Sequence, residues 1–146
     1  MTLSCNKKRK NLSELPSDYE QTEPKTQVIM ISAAILVRNN QKTITKTLES
    51  LKSFDEVLVL DTGSTDETVP IAKQYSNVQI IFQKFTHFGP LRNQVAKLAK
   101  NDWILAIDSD EVLSDELIQE ILALHLDQNA IYSLPFKNYY RKKQVK

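Results

Sequence analysis

The chain has a single cysteine, Cys5, among 146 residues. That excludes an internal disulfide framework and fits a reducing compartment. It has no excess of either charge. Nineteen basic side chains against 18 acidic ones leave a net charge of +1, so no global field argues for a nucleic-acid partner. No apolar run approaches the roughly 18 residues that a membrane span needs. A basic run near the start, Lys7-Lys8-Arg9-Lys10, is followed by no apolar stretch and does not read as a secretory signal. What remains is an ordinary globular composition, 41% apolar and 25% charged, in a chain long enough for one domain with a real core.

Residues 1–26 are polar, contain Pro16 and Pro24 and show no period, which reads as a flexible polar tail. The basic run within it is either a solvated stretch or a contact for an anionic membrane surface. The folded part is expected over residues 27–146. Residues 28–37 are nearly continuous in apolar side chains, as a strand covered on both faces must be. They end in Arg38-Asn39-Asn40. Ile44, Leu48 and Leu51 then recur at helical spacing. Residues 56–60 form a second strand and run into Asp61. Ser64 and Glu67 have the spacing of a capping box, which predicts a helix start, and Pro70 moves its regular part to about residues 68–75.

Residues 78–82 are a third strand. Gly89-Pro90, ahead of Leu91, Val95, Leu98 and Ala99, puts Pro90 near the first position of another helix. Arg92 and Asn93 then fall in its first turn, where free amides and the dipole favour anions. A fourth strand begins at Trp103 and runs into Asp108-Ser109-Asp110-Glu111. Ser114 caps a helix whose face is Leu117, Ile121 and Leu124. Residues 130–134 are a last strand. The basic, aromatic end from Tyr139 onward shows no partner element.

Strands and helices alternate throughout, which argues for an α/β fold with a mainly parallel sheet and helices on both faces. Such sheets bind ligands at the carboxyl ends of their strands. Asp61 and the acids of residues 108–111 fall at that edge, joined there by Arg38, Asn39 and Asn40. A buried strand has no room for unpaired carboxylates, so the acidic cluster must sit at the strand's mouth. Two carboxylates with one residue between them suit a hard cation such as Mg²⁺ or Mn²⁺. The plainer alternative is a solvated loop before a helix. His87 and His125 are not at metal-ligand spacing.

Four blocks carry a resemblance. They are Ile35-Leu36-Val37-Arg38-Asn39-Asn40, Val59-Leu60-Asp61-Thr62-Gly63-Ser64-Thr65-Asp66-Glu67-Thr68, Gly89-Pro90-Leu91-Arg92-Asn93 and Asp108-Ser109-Asp110-Glu111. Together they resemble the nucleotide-sugar half of a family 2 glycosyltransferase of the GT-A fold, nearest the branch that builds the inner core of bacterial lipopolysaccharide. The resemblance implies a Rossmann-like GT-A sheet, a UDP-sugar donor (UDP-glucose above all) and a divalent cation. It also implies inverting transfer to a lipopolysaccharide core or other glycan or lipid-linked acceptor. The place of action would be the cytoplasm, at the inner face of the inner membrane.

The resemblance also implies roles for particular residues. Asp61 would accept from the uracil imide, a role suited to an acceptor-only carboxylate, or would simply cap its turn. Asn39 would lie near the nucleotide or satisfy its own turn. Arg92 would face the diphosphate or the base, or else stand on a helix surface in water. Asp108 would contact the ribose or share the metal held by Asp110. Glu111 would support that pair or start the next helix. Where Asn40 stands the family usually has an acid. No general base for the acceptor hydroxyl is apparent, which points to a truncated, amino-terminal fragment. Two other functions compete: a non-catalytic nucleotide-sugar binder, and a phosphatase of the haloacid-dehalogenase type, whose Asp-x-Asp-x-Val motif Asp108, Asp110 and Val112 match.

Overall fold

Apolar runs without alternation need cover on both faces, and the sheet provides it. The structure, a computed structural model, describes residues 1–5, 29–127, 129–135, 137–140 and 143–145. Side chains of Phe88, Arg92, 138–140 and 143–145 are outside that description, as is the basic run at residues 7–10. In chain order the elements are β1 (Thr2–Cys5), β2 (Ile29–Val37), α1 (Ile44–Ser50), β3 (Phe54–Asp61), α2 (Thr68–Ala72) and β4 (Val78–Phe82). Then come α3 (Phe88–Leu98), β5 (Trp103–Asp108), α4 (Asp115–Ala123), β6 (Ile131–Ser133), β7 (Asn138–Tyr140) and β8 (Lys143–Val145).

Six strands form one sheet in the order β4-β3-β2-β5-β1-β6. β2 pairs in parallel with β3 and with β5, and β3 with β4. Successive side chains of a strand point to opposite faces, and the two cores follow that alternation. On one face Ala33, Ile35 and Val37 of β2, Val57 and Val59 of β3, and Leu105 and Ile107 of β5 are buried with Ile44 and Leu48 of α1, Ala72 of α2 and Ile121 of α4. On the other face Leu58 and Leu60 of β3 pack with Leu91 and Val95 of α3. Helices therefore cover both faces, as the alternation of elements predicts.

Four details depart from the sequence reading. Of the tail expected over residues 1–26, residues 6–26 lie outside the described residues, and the first five do not fit the expectation. Thr2–Cys5 form β1, antiparallel to both β5 and β6, with Leu3 fully buried. This strand satisfies backbone groups that would otherwise leave β5 as an edge. The expected capping box does not form. Glu67 is the N-cap of α2, without a side-chain bond, and the helix ends at Ala72, where i→i−3 bonds tighten the last turn. α3 begins at Phe88, so Pro90 is its third residue and Arg92 lies beyond the first turn. The aromatic, basic end is not partnerless, because β7 and β8 pair antiparallel. Ser114 caps α4 as expected, accepting from the Leu117 amide.

A polar cluster closes the amino-terminal side of the sheet. Ser32 donates to Glu56, which also accepts from the Lys100 amide at 2.9 Å. Asn101 donates to Ser32 and to Asp55, and the Lys100 ammonium lies 3.0 Å from the Asp55 carboxylate. The Lys100 ammonium, aided by the Asn101 amide, holds the Asp55 carboxyl below the usual aspartate range. A lowered folded-state value stabilises the fold above the ordinary aspartate pKa, and that stability is lost as pH falls through the folded value. Asp55→Asn should therefore lower the urea midpoint at neutral pH. The deficit against the parent should shrink as pH drops through about 4 and vanish below the folded value. A deficit that grows in acid would contradict the assignment.

Candidate functional site

Three loops meet at the carboxyl edge of the sheet. Register fixes where they begin, because Val37 stands opposite Asp61 on one side of β2 and Leu36 opposite Asp108 on the other. Asp61 and Asp108 thus end the two strands that flank β2, about two strand spacings or ~10 Å apart.

The loop after β3 is built on Asp61. This residue is 3% exposed, and its carboxylate accepts from the amides of Gly63 at 3.1 Å and Ser64 at 3.1–3.2 Å. The turn needs φ +106° at Gly63, a value that glycine adopts without strain. Thr62 fastens the loop to β2, donating through its amide and its hydroxyl to the Val37 carbonyl. The turn-capping role foreseen for Asp61 is therefore present. Two amide bonds leave further lone pairs on a carboxylate that can accept four or so. Beside it opens a recess lined by Asp61, Thr62, Gly63, Phe82, Gln83 and Lys84.

The loop after β2 is tied to that one residue by residue. Asn39, with φ +56°, does not satisfy its own turn. Its side-chain oxygen accepts from the Thr65 amide at 2.8 Å, and its amide donates to the Ser64 hydroxyl at 3.0 Å. Ser64 is thereby engaged across the gap rather than in a capping box. The Asn40 amide donates to the Thr68 hydroxyl at 2.7 Å and the Gln41 amide to Asp66 at 3.1 Å. Burial raises the Asp66 pKa, but the hydroxyl and amide of Thr68 and the Gln41 amide outweigh it and leave the carboxyl below its usual range. The Asn40 oxygen accepts from the Arg38 amide at 2.7 Å, a task that the acid usual at this position could also perform.

The loop after β5 carries Asp108 and Asp110, both exposed, around the buried Ser109. Glu111 accepts from the Asp108 amide at 3.0 Å and returns its own amide to the Asp108 carbonyl at 3.1 Å. The other Glu111 oxygen lies 3.7 Å from the Met1 amino nitrogen. α1 grips the same loop from below. Thr47 donates to the Ser109 carbonyl at 3.0 Å, and Ser50 accepts from the Leu113 amide at 3.2 Å. Sequence reading missed both hydroxyls. The available signal was Thr47 on the apolar stripe of Ile44, Leu48 and Leu51, since a polar group there must find a partner.

Among the described residues no group of three or more His, Cys, Asp or Glu side chains gathers as a metal cage. Two carboxylates on one water-facing turn still fit a divalent cation of the hard kind. Mg²⁺ typically takes one or two protein carboxylates and completes its shell with water and substrate phosphates. Arg92 is the fifth residue of α3, and its side chain lies outside the described residues. Leu91 and Val95 of that helix pack on β3, and a crevice between Leu36, Leu60 and Val95 opens beside Asp108. Glu116 and Glu120 are exposed on α4. The Glu116 carboxyl is held below its usual range by its own amide and then by the Ser114 hydroxyl at the start of α4.

Comparison with known proteins bears on the family and the fold. The profile described as Glycosyl transferase family 2 matches residues 32–145. The SPbeta prophage-derived glycosyltransferase SunS of Bacillus subtilis is 37% identical over 109 residues, covering 73% of this chain and 25% of that protein. An uncharacterized glycosyltransferase of Rickettsia felis is 39% identical over 100 residues, covering 68% and 35% respectively. The chain thus spans a quarter to about a third of the length of these relatives. Among solved structures, S. aureus TarS 1–349 in complex with UDP-GlcNAc superposes with a TM-score of 0.57 and 30% identity, over 64% of this chain and 30% of that one. The expected α/β, GT-A-like fold is borne out.

The Asn39 geometry yields a stability test. Asn39→Ala removes the bond to Thr65, at a cost of ~1 kcal/mol, and keeps a Cβ at positive φ, where the backbone is about 1–2 kcal/mol less favourable than with glycine. Asn39→Gly loses only the bond. The alanine variant should melt below the glycine variant, and the opposite order would contradict the strained-turn reading.

Proposed function

The chain belongs to glycosyl transferase family 2, and from that premise we propose that its sheet edge binds a UDP-sugar with a divalent cation for inverting transfer to a glycan acceptor. The observation that carries the proposal is the placement of Asp61 and the Asp108–Asp110 pair at the ends of the strands on either side of β2. Similarity to TarS, which was solved with UDP and with UDP-GlcNAc, supports a uridine nucleotide.

In this reading Asp61 accepts from the uracil imide while its loop bonds keep the carboxylate fixed. Asn39 holds the two nucleotide-side loops together. Arg92 faces the diphosphate. Asp108 meets the ribose or shares the cation, and Asp110 binds the cation. When bound, the cation neutralises the diphosphate as it leaves. In an inverting transfer a general base takes the proton of the acceptor hydroxyl, a role that the motif resemblance gives to none of these residues.

UDP-glucose as the donor and a lipopolysaccharide core or related lipid-linked glycan as the acceptor rest on the motif resemblance. So does action in the cytoplasm at the inner membrane face. Among the described residues no helix is long and apolar enough to cross a membrane. Membership of the family sets aside the phosphatase reading of Asp108, Asp110 and Val112.

Calorimetric titration of UDP and UDP-glucose with and without Mn²⁺ tests the proposal. Mn²⁺ should tighten binding about tenfold or more, and Asp110→Ala should abolish that gain and leave only the weaker metal-free binding. Equal binding with and without Mn²⁺ in the parent chain would overturn the metal assignment. Metal-dependent binding without transfer would favour a non-catalytic binder. A second substitution isolates the base contact. Asp61→Asn keeps an oxygen for the loop amides but puts an amide group beside the imide. It should weaken UDP about tenfold while sparing inorganic pyrophosphate. Equal losses for both ligands would count against a contact with uracil.

A further inference from the structure

The acidic loop is not self-supporting, and what supports it comes from one helix. Thr47 is fully buried on α1, and its hydroxyl donates at 3.0 Å to the carbonyl of Ser109, the residue between the two aspartates. One turn on, Ser50 donates to the Thr47 carbonyl at 2.8 Å and accepts at 3.2 Å from the amide of Leu113, where the loop ends. The same helix is anchored at its start to the nucleotide-side loops. The Asn40 carbonyl accepts from the amides of Thr43 and Ile44 at 3.0 Å, and the Asn40 amide donates to Thr68. α1 therefore joins the loops around Asp61 to the loop that carries Asp108 and Asp110.

We propose that Thr47 is a positioning residue for the cation: by fixing the Ser109 carbonyl it sets the angle between the Asp108 and Asp110 carboxylates. The inference rests on the UDP-sugar reading above. Thr47 has no exposed surface, so it acts on the ligand only through Ser109. The chemistry is specific to the hydroxyl. Valine has nearly the same shape but cannot donate, and the buried Ser109 carbonyl would have to turn toward another partner, carrying both aspartates with it. Serine keeps the donor.

The test uses the full chain with Thr47→Val and Thr47→Ser. Manganese affinity is read by electron paramagnetic resonance in the presence of UDP, and UDP affinity by calorimetry without metal. Thr47→Val should weaken Mn²⁺ about tenfold and leave metal-free UDP binding unchanged. Thr47→Ser should recover most of the metal affinity. Unchanged Mn²⁺ affinity in the valine variant, an equal loss of metal-free UDP binding, or failure of serine to rescue would each overturn the inference. If the valine variant does not fold, Ser50→Ala frees the far end of the same loop and should give the same selective loss; no loss there would overturn it too. A parent chain whose UDP binding ignores Mn²⁺ would instead overturn the metal assignment, and one that binds no UDP at all the underlying UDP-sugar reading, results visible before any variant is made.

Discussion

Parallel hydrogen bonding of β2 to a strand on each side decides where the functional groups stand. A parallel pair has one register compatible with its buried side chains, since slipping by one residue would turn each apolar row toward the wrong face. The register that buries Ile35 and Val37 with Val59 and Ile107 also brings Asp61 and Asp108 to the same end of the sheet. Those positions are where strands leave the core, so a carboxylate there meets water or loop amides rather than hydrocarbon. Burial and site are consequences of one pattern of pairing.

The loops then differ in how they deal with charge. Asp61 is nearly buried and is satisfied by two amides of its own turn. Asp108 and Asp110 face solvent, and the groups that hold their backbone are other side chains: Glu111, Thr47 and, at the far end, Ser50. One acid is preset within the protein, while the pair is left where a cation and phosphate oxygens can reach it. This contrast suits a site whose base end reads a fixed acceptor and whose diphosphate end completes itself on binding. The stretch aligned with SunS is 25% of that protein.

The central strands were legible because burial on both faces leaves nearly unbroken apolar runs, as in residues 29–37 and 57–60. The ends of Asp61 and Asp108 followed from them. β1 was not legible, since Leu3 is its one buried side chain and its partners lie about a hundred residues away at Leu105 and Tyr132. Ser64 misled because a local spacing rule cannot see that Asn39 of another loop claims its hydroxyl. The start of α3 was misplaced by two residues for a similar reason, because Pro90 is tolerated anywhere in a first turn whose amides have no helical partner. The candidate acids were therefore readable from the sequence, while the hydroxyls and amides that hold them needed the fold.

Paramagnetic broadening by Mn²⁺ in the isotope-labelled chain probes the central claim most directly, because it locates the cation without a mutation. With UDP present, the amide signals of Asp108, Ser109, Asp110 and Glu111 should broaden first and those of Gly63 and Ser64 next. Asn77, Lys100 and Asn101, at the opposite end of the sheet, should stay sharp. Broadening centred at that far end, or broadening of the acidic loop that UDP does not strengthen, would contradict a diphosphate–cation site at the carboxyl edge.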